Sequence, residues 1–536
     1  MVNTILALSG EVGAGKTTLA KRLVARYGAH HISTHVLLSR RLGSQAIEER
    51  GALQEAGQRL DRQTKGAWIV DEMAPELDLL PPDTLIVVDA IRMKGQLDAL
   101  RHRYGRRVTH LHLEAPLPEL VKRYAGRVRH SKFREFKSYS KVRENRTERN
   151  VRNLSDDADV VIDTASCTEA DVEVRTAAHL GLSGRTGSPS VDVVVGGQYG
   201  SEGKGNVAFY LARDYDLLVR VGGPNAGHMV PRHNGVPFTH RLLPSGTQNS
   251  RASLLIAPGA VVDVEILLRE IADSGVGAER LWIDPHVMII SAADRNSERQ
   301  LVRAIGSTGK GVGAATARRI RGRSGYVTLA RDVPRLKPYL RAASEVLQDA
   351  FGSKKRVLVE GTQGTMLSLY HGDYPHVTSR DTTVSGCLAE AGIPPSRVRR
   401  VVMVCRTYPI RVQSPRGSTS GPMRQEMTWE ALAERSGIAL TELLSAERGS
   451  VSKKQRRVAE FDWAMLQRAS QLNGPTDIAL TFVDYLSVKN RKARRLDQLT
   501  EETIRFVEEV ERVSGATVSL MSTRFHPRSI IDRRHW

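Results

Sequence analysis

Cysteine is scarce in this chain: Cys167, Cys387 and Cys405 are the whole complement of 536 residues. They are too few and too scattered for a disulfide framework or a CxxC metal site, and that usage fits a reducing cytoplasm. Aromatic residues make up only 5%, so the interleaved stacking platform of a single-strand nucleic-acid binder is not evident. No apolar run reaches the roughly 18 residues of a membrane span, and a strand-like stretch follows Met1 directly, so neither secretion nor membrane insertion is expected. Positive charge is plentiful. Lysine and arginine number 79 against 59 aspartates and glutamates, a formal net charge of +20. Such a balance favours polyanionic partners, nucleic acid or nucleotide phosphates, although a solvated arginine-rich surface gives the same count. With 40% hydrophobic and 26% charged residues the composition is that of a soluble globular chain, and the length allows about two to four domains.

Two strand-then-glycine-loop openings divide the sequence, at Asn3–Thr18 and at Val191–Asn206. Between them Gly181–Ser190 is rich in Gly, Ser and Pro and reads as a linker. We therefore expect a first domain over 1–182, a linker over 183–190 and a second domain over 191–536. Short β-branched runs recur between helical patterns at Thr84–Val88, Val108–Leu113, Val160–Ile162, Leu254–Ile256, Val357–Val359, Val401–Val404 and Ile478–Thr481. This alternation predicts an α/β fold: two P-loop-type α/β domains with mainly parallel sheets covered by helices. The segment Arg127–Arg152 is dense in Arg, Lys and Ser and is expected to form a mobile basic helical lid.

Gly10, Gly13, Gly15, Lys16 and Thr17 satisfy G-x-x-x-x-G-K-[ST] after an apolar run and before a helical pattern. Glycines in such a loop let backbone N–H groups wrap phosphates, Lys16 reaches the β- and γ-phosphates, and the Thr17 hydroxyl, followed by Thr18, holds Mg²⁺. A chance glycine-rich turn is the plain alternative, and the flanking strand and helix argue against it. Asp89 closes an apolar run, where a carboxylate can hold the metal's water shell. This region resembles the nucleoside-monophosphate kinase and dephospho-coenzyme A kinase group. By that resemblance His31–Arg40 is the monophosphate-binding segment, Arg123, Arg127 and Arg129 are lid arginines, and Ala158–Asp163 is the last strand. A kinase is implied, with a regulatory nucleotide-binding module as the alternative. Each arginine taken alone reads as a surface charge.

The second glycine loop, Gly200–Gly205, is weak evidence alone. It is followed in order by GGPNAGH at Gly222–His228, RLLPSG at Arg241–Gly246, GSTGKGVG at Gly306–Gly313, VEGTQGTMLSL at Val359–Leu369 and YPHVTSRDTT at Tyr374–Thr383. Order and spacing together resemble the adenylosuccinate synthetase family across nearly all of 191–536. That family joins aspartate to C6 of a 6-oxopurine nucleotide: a triphosphate's γ-phosphoryl moves to O6, then the aspartate amine displaces it. The resemblance implies that His228 stabilises the transferring phosphoryl, that Ser201 and Lys204 occupy the other catalytic positions, and that the Gly227 carbonyl contacts Mg²⁺ with Ser201 nearby. It places Gly200, Glu202, Gly203 and Gly205 on triphosphate, and Asn225, Ala226, Thr308, Gln363, Thr378, Lys454, Arg456 and Asp484 on nucleotide. Ser452, Arg456 and Arg457 fall in the aspartate-binding loop. Outside this context His228 would read as a core histidine.

Three departures bear on the substrate. The family's loop reads G-D-E-G-K-G, and its aspartate is both base and metal ligand, whereas this chain has Ser201. The guanine-recognition stretch T-K-L-D reads Thr481-Phe482-Val483-Asp484, and the aspartate loop reads Val451-Ser452-Lys453-Lys454-Gln455-Arg456-Arg457. These departures resemble a viral branch of the family, the aminodeoxyadenylosuccinate synthetases, which act on dGMP and accept ATP. Guanine presents N1–H and a 2-amino group side by side, and serine in place of a carboxylate makes room for the amino group and leaves a hydroxyl acceptor. The expected acceptor is therefore GMP or dGMP with L-aspartate, Mg²⁺, and ATP or GTP as phosphoryl donor. The alternatives are IMP with GTP, a nucleotide sensor, or a nucleic-acid-binding P-loop ATPase. One arginine among Arg318, Arg319, Arg321 and Arg323 is expected to reach a partner subunit's nucleotide in a homodimer.

Overall fold

The computed structural model describes residues 4–42, 50–128, 138–182, 188–231, 236–323, 325, 327–448 and 455–536. The chain divides into two compact units, Met1–Arg185 and Thr186–Trp536.

The first unit is built on five parallel strands in the order His30–Ser33, Leu85–Asp89, Thr4–Gly10, Val108–Glu114, Val160–Asp163. Alternate side chains of the central strand enter different cores: Leu6 and Leu8 pack on one face of the sheet, Ile5 and Ala7 on the other. Burial on both faces is why these strands read as unbroken apolar runs rather than as alternating ones. Register brings Asp89 beside Leu8, so the acid lies at the strand end next to the glycine loop.

The second unit carries a nine-stranded sheet. Its order is Leu281–Ile283, Ser253–Ile256, Leu217–Arg220, Val357–Glu360, Val191–Gly196, Val398–Arg406, Asp477–Thr481, Thr517–Ser522 and Ile530–Asp532. Every pairing is parallel except the last. Val193 and Val195 face one core and Val194 the other. The fold is thus mixed α/β with mainly parallel sheets, as the alternation of strand and helix patterns implies. All seven runs read as strands from the sequence are strands. His30–Ser33, Leu217–Arg220, Leu281–Ile283 and the two C-terminal strands are additional.

The basic stretch expected to be a mobile lid is different where it is described. Tyr139–Glu144 and Arg146–Arg152 are helices whose Tyr139, Val142 and Val151 are buried. The Tyr139 hydroxyl donates to the Val12 carbonyl at 3.0 Å, and Arg143 pairs with Glu11 at 3.1 Å. Three apolar anchors and two contacts to the glycine loop hold this part down. Residue 129, the Arg127 side chain and the rest of the stretch to 137 lie outside the described residues.

Candidate active site

In parallel α/β sheets ligands gather at the carboxyl ends of the strands, and in the second unit five adjacent central strands deliver candidate residues there. Strand Val191–Gly196 runs into the loop Gly197–Gly203 and the helix Lys204–Leu211. Gly203 begins that helix with φ 88°, a left-handed conformation that favours glycine. Glu202 is fully buried. One of its carboxylate oxygens accepts from the backbone N–H groups of Gln198 (3.0 Å) and Gly200 (2.7 Å), and the other pairs with Lys204 at 2.6 Å. Both oxygens of Glu202 are committed, so it shapes the loop and holds Lys204 in it. Ser201 is half-buried between Gly200 and Glu202, and its carbonyl accepts from Arg406 at 3.3 Å.

His228 stands against this loop, and a Cβ on Gly205 would lie 2.8 Å from its Cβ. Only glycine at 205 permits that approach. Glu360, Arg220 and Ser245 converge on the other side of the ring. Arg220 and Glu360 are register partners on adjacent strands and pair at 2.5 Å. The Glu360 carboxylate also accepts the Ser245 backbone N–H at 2.7 Å and bonds His228 Nδ1. Burial lowers the imidazole to about 4, aided by the Arg220 charge and opposed by Glu360. Burial alone would raise the Glu360 carboxyl, but Arg220, His228 and Ser245 together draw it down to about 2. At neutral pH the pair is a neutral imidazole against a carboxylate, which assigns the proton to Nδ1. Nε2 is then buried with no partner among the described residues.

Asn225, Gln363 and Thr378, far apart in sequence, meet. Gln363 Nε2 donates to Asn225 Oδ1 at 2.8 Å, and Asn225 Nδ2 to the Thr378 hydroxyl at 3.4 Å. Gln363 is held at φ 60°, an uncommon backbone for a residue with a side chain and of the kind found at ligand sites. A Cβ on Gly200 would lie 3.0 Å from the Gln363 Cα, so the glycine loop and this polar trio are neighbours. Ala226 and Gly227 are half-buried in the connection between Asn225 and His228. Thr308 is exposed on its glycine loop. The helix that follows that loop has its N-terminal amides capped by Glu298, which accepts from Gly311 (2.6 Å) and Gly313 (2.7 Å).

A second buried network borders the glycine loop. Glu447 accepts from Arg406 (2.7 Å), Arg456 (3.1 Å) and the Tyr485 hydroxyl (2.8 Å). Burial works against its charge, but Arg406 and Arg456 hold the carboxyl at about 2. Phe482, which stands where the family has lysine, lies under the Arg406 guanidinium at 3.9 Å. Asp484 is raised to about 6 by burial, against the pull of Arg491 at 3.1 Å. Arg457 is not free for substrate: it bonds Glu426, Ser420 (2.9 Å) and the Gly421 carbonyl (2.7 Å). Ser452, Lys453 and Lys454 lie outside the described residues. Among the arginines considered for a dimer contact, Arg318 is held by Asp294 at 2.7 Å and Arg319 donates to the Pro258 carbonyl at 3.1 Å. Arg321 and Arg323 are exposed.

The first unit has its own site, a cavity of about 710 Å³ lined by Gly13–Thr18, Asp89 and Arg123. Gly13 and Gly15 have φ of 92° and 97°. Lys16 Nζ donates to the Gly10 and Glu11 carbonyls at 2.8 and 2.9 Å, and Thr17 donates to Asp89 at 2.8 Å. Burial would raise the Asp89 carboxyl, but His31, Lys16 and Thr17 draw it below its usual value. Thr18 lines the same cavity. Arg123 does not swing free, since its guanidinium bonds the Thr164 hydroxyl (2.9 Å) and carbonyl (3.0 Å).

Sequence reading singled out His228 but not Glu360, Arg220, Glu447 or Arg406. For three of them the signal was available: the strand-end charges in VLVE, LLVR and VVMVCR each break an otherwise apolar run at the carboxyl end of a parallel strand, whereas Glu447 follows a helix and carries no such mark.

Comparison with known proteins agrees with this geometry. The adenylosuccinate synthetase family model matches residues 193–328 and 324–490, and a model described as an AAA domain matches residues 5–155. The adenylosuccinate synthetase of Methanocaldococcus jannaschii is 37% identical over 352 residues, 64% of this chain and 96% of that protein. That of Pyrococcus horikoshii is 38% identical over 355 residues, 65% and 99%. Among solved structures, the cyanophage S-2L succinoaminodeoxyadenylate synthetase bound to dGMP and dATP superimposes with a TM-score of 0.54 at 28% identity, covering 65% of this chain and 96% of that one. The fully ligated adenylosuccinate synthetase of Plasmodium falciparum shares the fold, with a TM-score of 0.56 at 19% identity over 64% and 100%. With a P-loop unit preceding its ligase unit, the chain belongs to the adenylosuccinate synthetase family.

Proposed function

We propose that residues 191–536 join the amine of L-aspartate to C6 of a guanine nucleotide, GMP or dGMP, and that residues 1–182 transfer a phosphoryl group to a nucleotide. In the ligase step the γ-phosphoryl of ATP or GTP moves to the purine O6, releasing the diphosphate. The aspartate amine then forms the C6–N bond as phosphate leaves. His228 is suited to meet the moving phosphoryl: Glu360 fixes the Nδ1 proton, leaving Nε2 as the free ring nitrogen. Lys204 and the amides at the start of its helix suit triphosphate oxygens. Asn225, Gln363 and Thr378 suit the acceptor nucleotide, and by the family resemblance Arg456, Ser452 and Lys454 would meet the carboxylates and phosphates, whereas Arg457 is engaged by Glu426, Ser420 and Gly421.

The observation that carries the guanine reading is Ser201, a neutral hydroxyl on the loop that abuts Gln363, where the family places a carboxylate. The dGMP in the cyanophage structure supports it. A second reading, IMP with GTP, rests on the higher identity to the archaeal adenylosuccinate synthetases. Mg²⁺ fits the first unit through Thr17 and Asp89. In the ligase unit the protein donors, Ser201 and the Gly227 carbonyl, are neutral oxygens, so most of the ion's ligands would be substrate phosphates. Bound there, it would neutralise phosphoryl charge. The homodimer belongs to the same proposal, with Arg321 or Arg323 as the arginine that crosses.

The test is Ser201→Asp. Restoring the carboxylate is expected to move the ratio of kcat/KM for IMP over dGMP upward by at least about tenfold, one missing or unfavourable hydrogen bond. An unchanged ratio contradicts the assignment of Ser201 to guanine.

A further inference from the structure

The cavity of the first unit extends well beyond the glycine loop. Its far side is lined by Asp61, Trp68, Arg92 and Gln96, none of which the sequence motifs single out. Asp61 lies in the helix Arg50–Thr64 and Trp68 begins the helix Trp68–Leu77. The Asp61 Oδ1 oxygen accepts two donors at once, Trp68 Nε1 at 2.7 Å and Gln96 Nε2 at 2.9 Å. Gln96 cannot turn away, because its own carbonyl oxygen accepts the Arg92 backbone N–H at 2.8 Å. One carboxylate oxygen is therefore locked from both sides, while Oδ2 makes no hydrogen bond within the described residues. No lysine or arginine pairs with Asp61 there. Burial accordingly raises its carboxyl above the usual range, against the two donors.

A half-buried, cation-free carboxylate with one oxygen fixed, lining a cavity, is an acceptor for incoming donors. The free oxygen has two lone pairs and can be shared as acceptor by two neighbouring N–H groups. Among the nucleobases that is the N1–H and 2-amino edge of guanine. Adenine presents an acceptor at N1, and the pyrimidines place a carbonyl at C2. Arg92, anchored by Glu148 at 2.7 Å, lines the same side and supplies a cation for a monophosphate.

We infer that the Asp61 side of this cavity is a purine-base subsite that selects a guanine monophosphate as phosphoryl acceptor through the free Asp61 oxygen. The inference rests on the proposed phosphoryl transfer by this unit and names its substrate class. In the reaction the acceptor's phosphate oxygen attacks the γ-phosphorus of ATP, the bond to the ADP oxygen breaks, and a nucleoside diphosphate and ADP leave. The subsite would accept the ligase unit's substrate base rather than its product, since substitution at C6 removes the N1 proton.

Asp61→Asn separates recognition from support. An asparagine oxygen keeps both Trp68 and Gln96, and its NH₂ turns the free acceptor into a donor. The readout is nucleoside diphosphate formed from ATP and each of GMP, dGMP, XMP, dAMP, CMP and 2,6-diaminopurine riboside monophosphate, without aspartate. Ligase chemistry makes no diphosphate of the acceptor, so this product reports the first unit alone. In the wild-type chain GMP and dGMP are expected to exceed the other acceptors by at least about 100-fold in kcat/KM, the scale for leaving a buried polar group unpaired. Asp61→Asn is expected to remove that advantage mainly through KM, and to favour XMP, whose C2 carbonyl accepts from the new NH₂. Phosphorylation indifferent to the base, or guanine preference that survives Asp61→Asn, overturns the subsite alone. Failure of the wild-type chain to phosphorylate any monophosphate overturns the transferase reading, and the subsite with it.

Discussion

At the scale of single residues, the ligase site depends on how His228 is held. Gly205 lets the ring approach the glycine loop, and Glu360 fixes its tautomer. Replacing His228 with Asn removes the ring nitrogen and is expected to lower ligase kcat by about 10²–10³, with nucleotide KM changed far less, as for loss of a preorganised group at a developing charge. Steady-state kinetics check it, and a loss confined to KM would contradict the role. Gly205→Ala is expected to do comparable harm, because the new Cβ meets the His228 Cβ at 2.8 Å. The same environment makes a pH prediction. The imidazole sits at about 4 when folded and at 6.5 when free, so the unfolded state binds the extra proton first. Stability from this group is complete above 6.5 and is lost as pH falls toward 4. Glu360, at about 2 against 4.5, extends the loss below 4.5. Thermal unfolding across pH 7 to 4 is expected to show the decline, shallower in His228→Asn.

At the scale of elements, the glycine loop is braced from within. Glu202 joins two loop amides to Lys204 in a buried pair. Glu202→Gln leaves the Lys204 charge uncompensated and is expected to destabilise the ligase unit by about 3–5 kcal/mol, measured by denaturant unfolding. An effect under about 1 kcal/mol would show that the loop does not need the brace. This scale also explains what sequence can and cannot reveal. The apolar runs were legible as strands because burial on both faces leaves no polar position within them. His30–Ser33 was hidden because its run is short and carries two histidines. Asn225, Gln363 and Thr378 could be grouped only through the family resemblance, since nothing local signals that they touch. Tyr139–Arg152 looked detached because its charges outnumber three buried apolar side chains that carry its packing.

At the scale of the whole molecule, one chain divides into two units, each with a candidate site at the carboxyl edge of its own mainly parallel sheet. Lys16→Ala is expected to abolish phosphoryl transfer by the first unit while ligase turnover stays within about twofold, since each site is built from residues of its own unit and sites without shared partners add independently. Parallel assays of the two products on one preparation check this, and a large fall in ligase rate would reveal coupling between the units. The arginines are not all surface cations: Arg220, Arg380 and Arg406 are buried in ion pairs, and such pairs cancel within the net charge of +20.

The most direct test of the central claim is mass spectrometry of products formed by the full chain with L-aspartate, Mg²⁺, ATP or GTP, and one of dGMP, GMP or IMP. The account predicts a succinylamino adduct of dGMP or GMP, formed far faster than that of IMP. An adduct from IMP alone would contradict it and return the ligase unit to the ordinary reaction of its family.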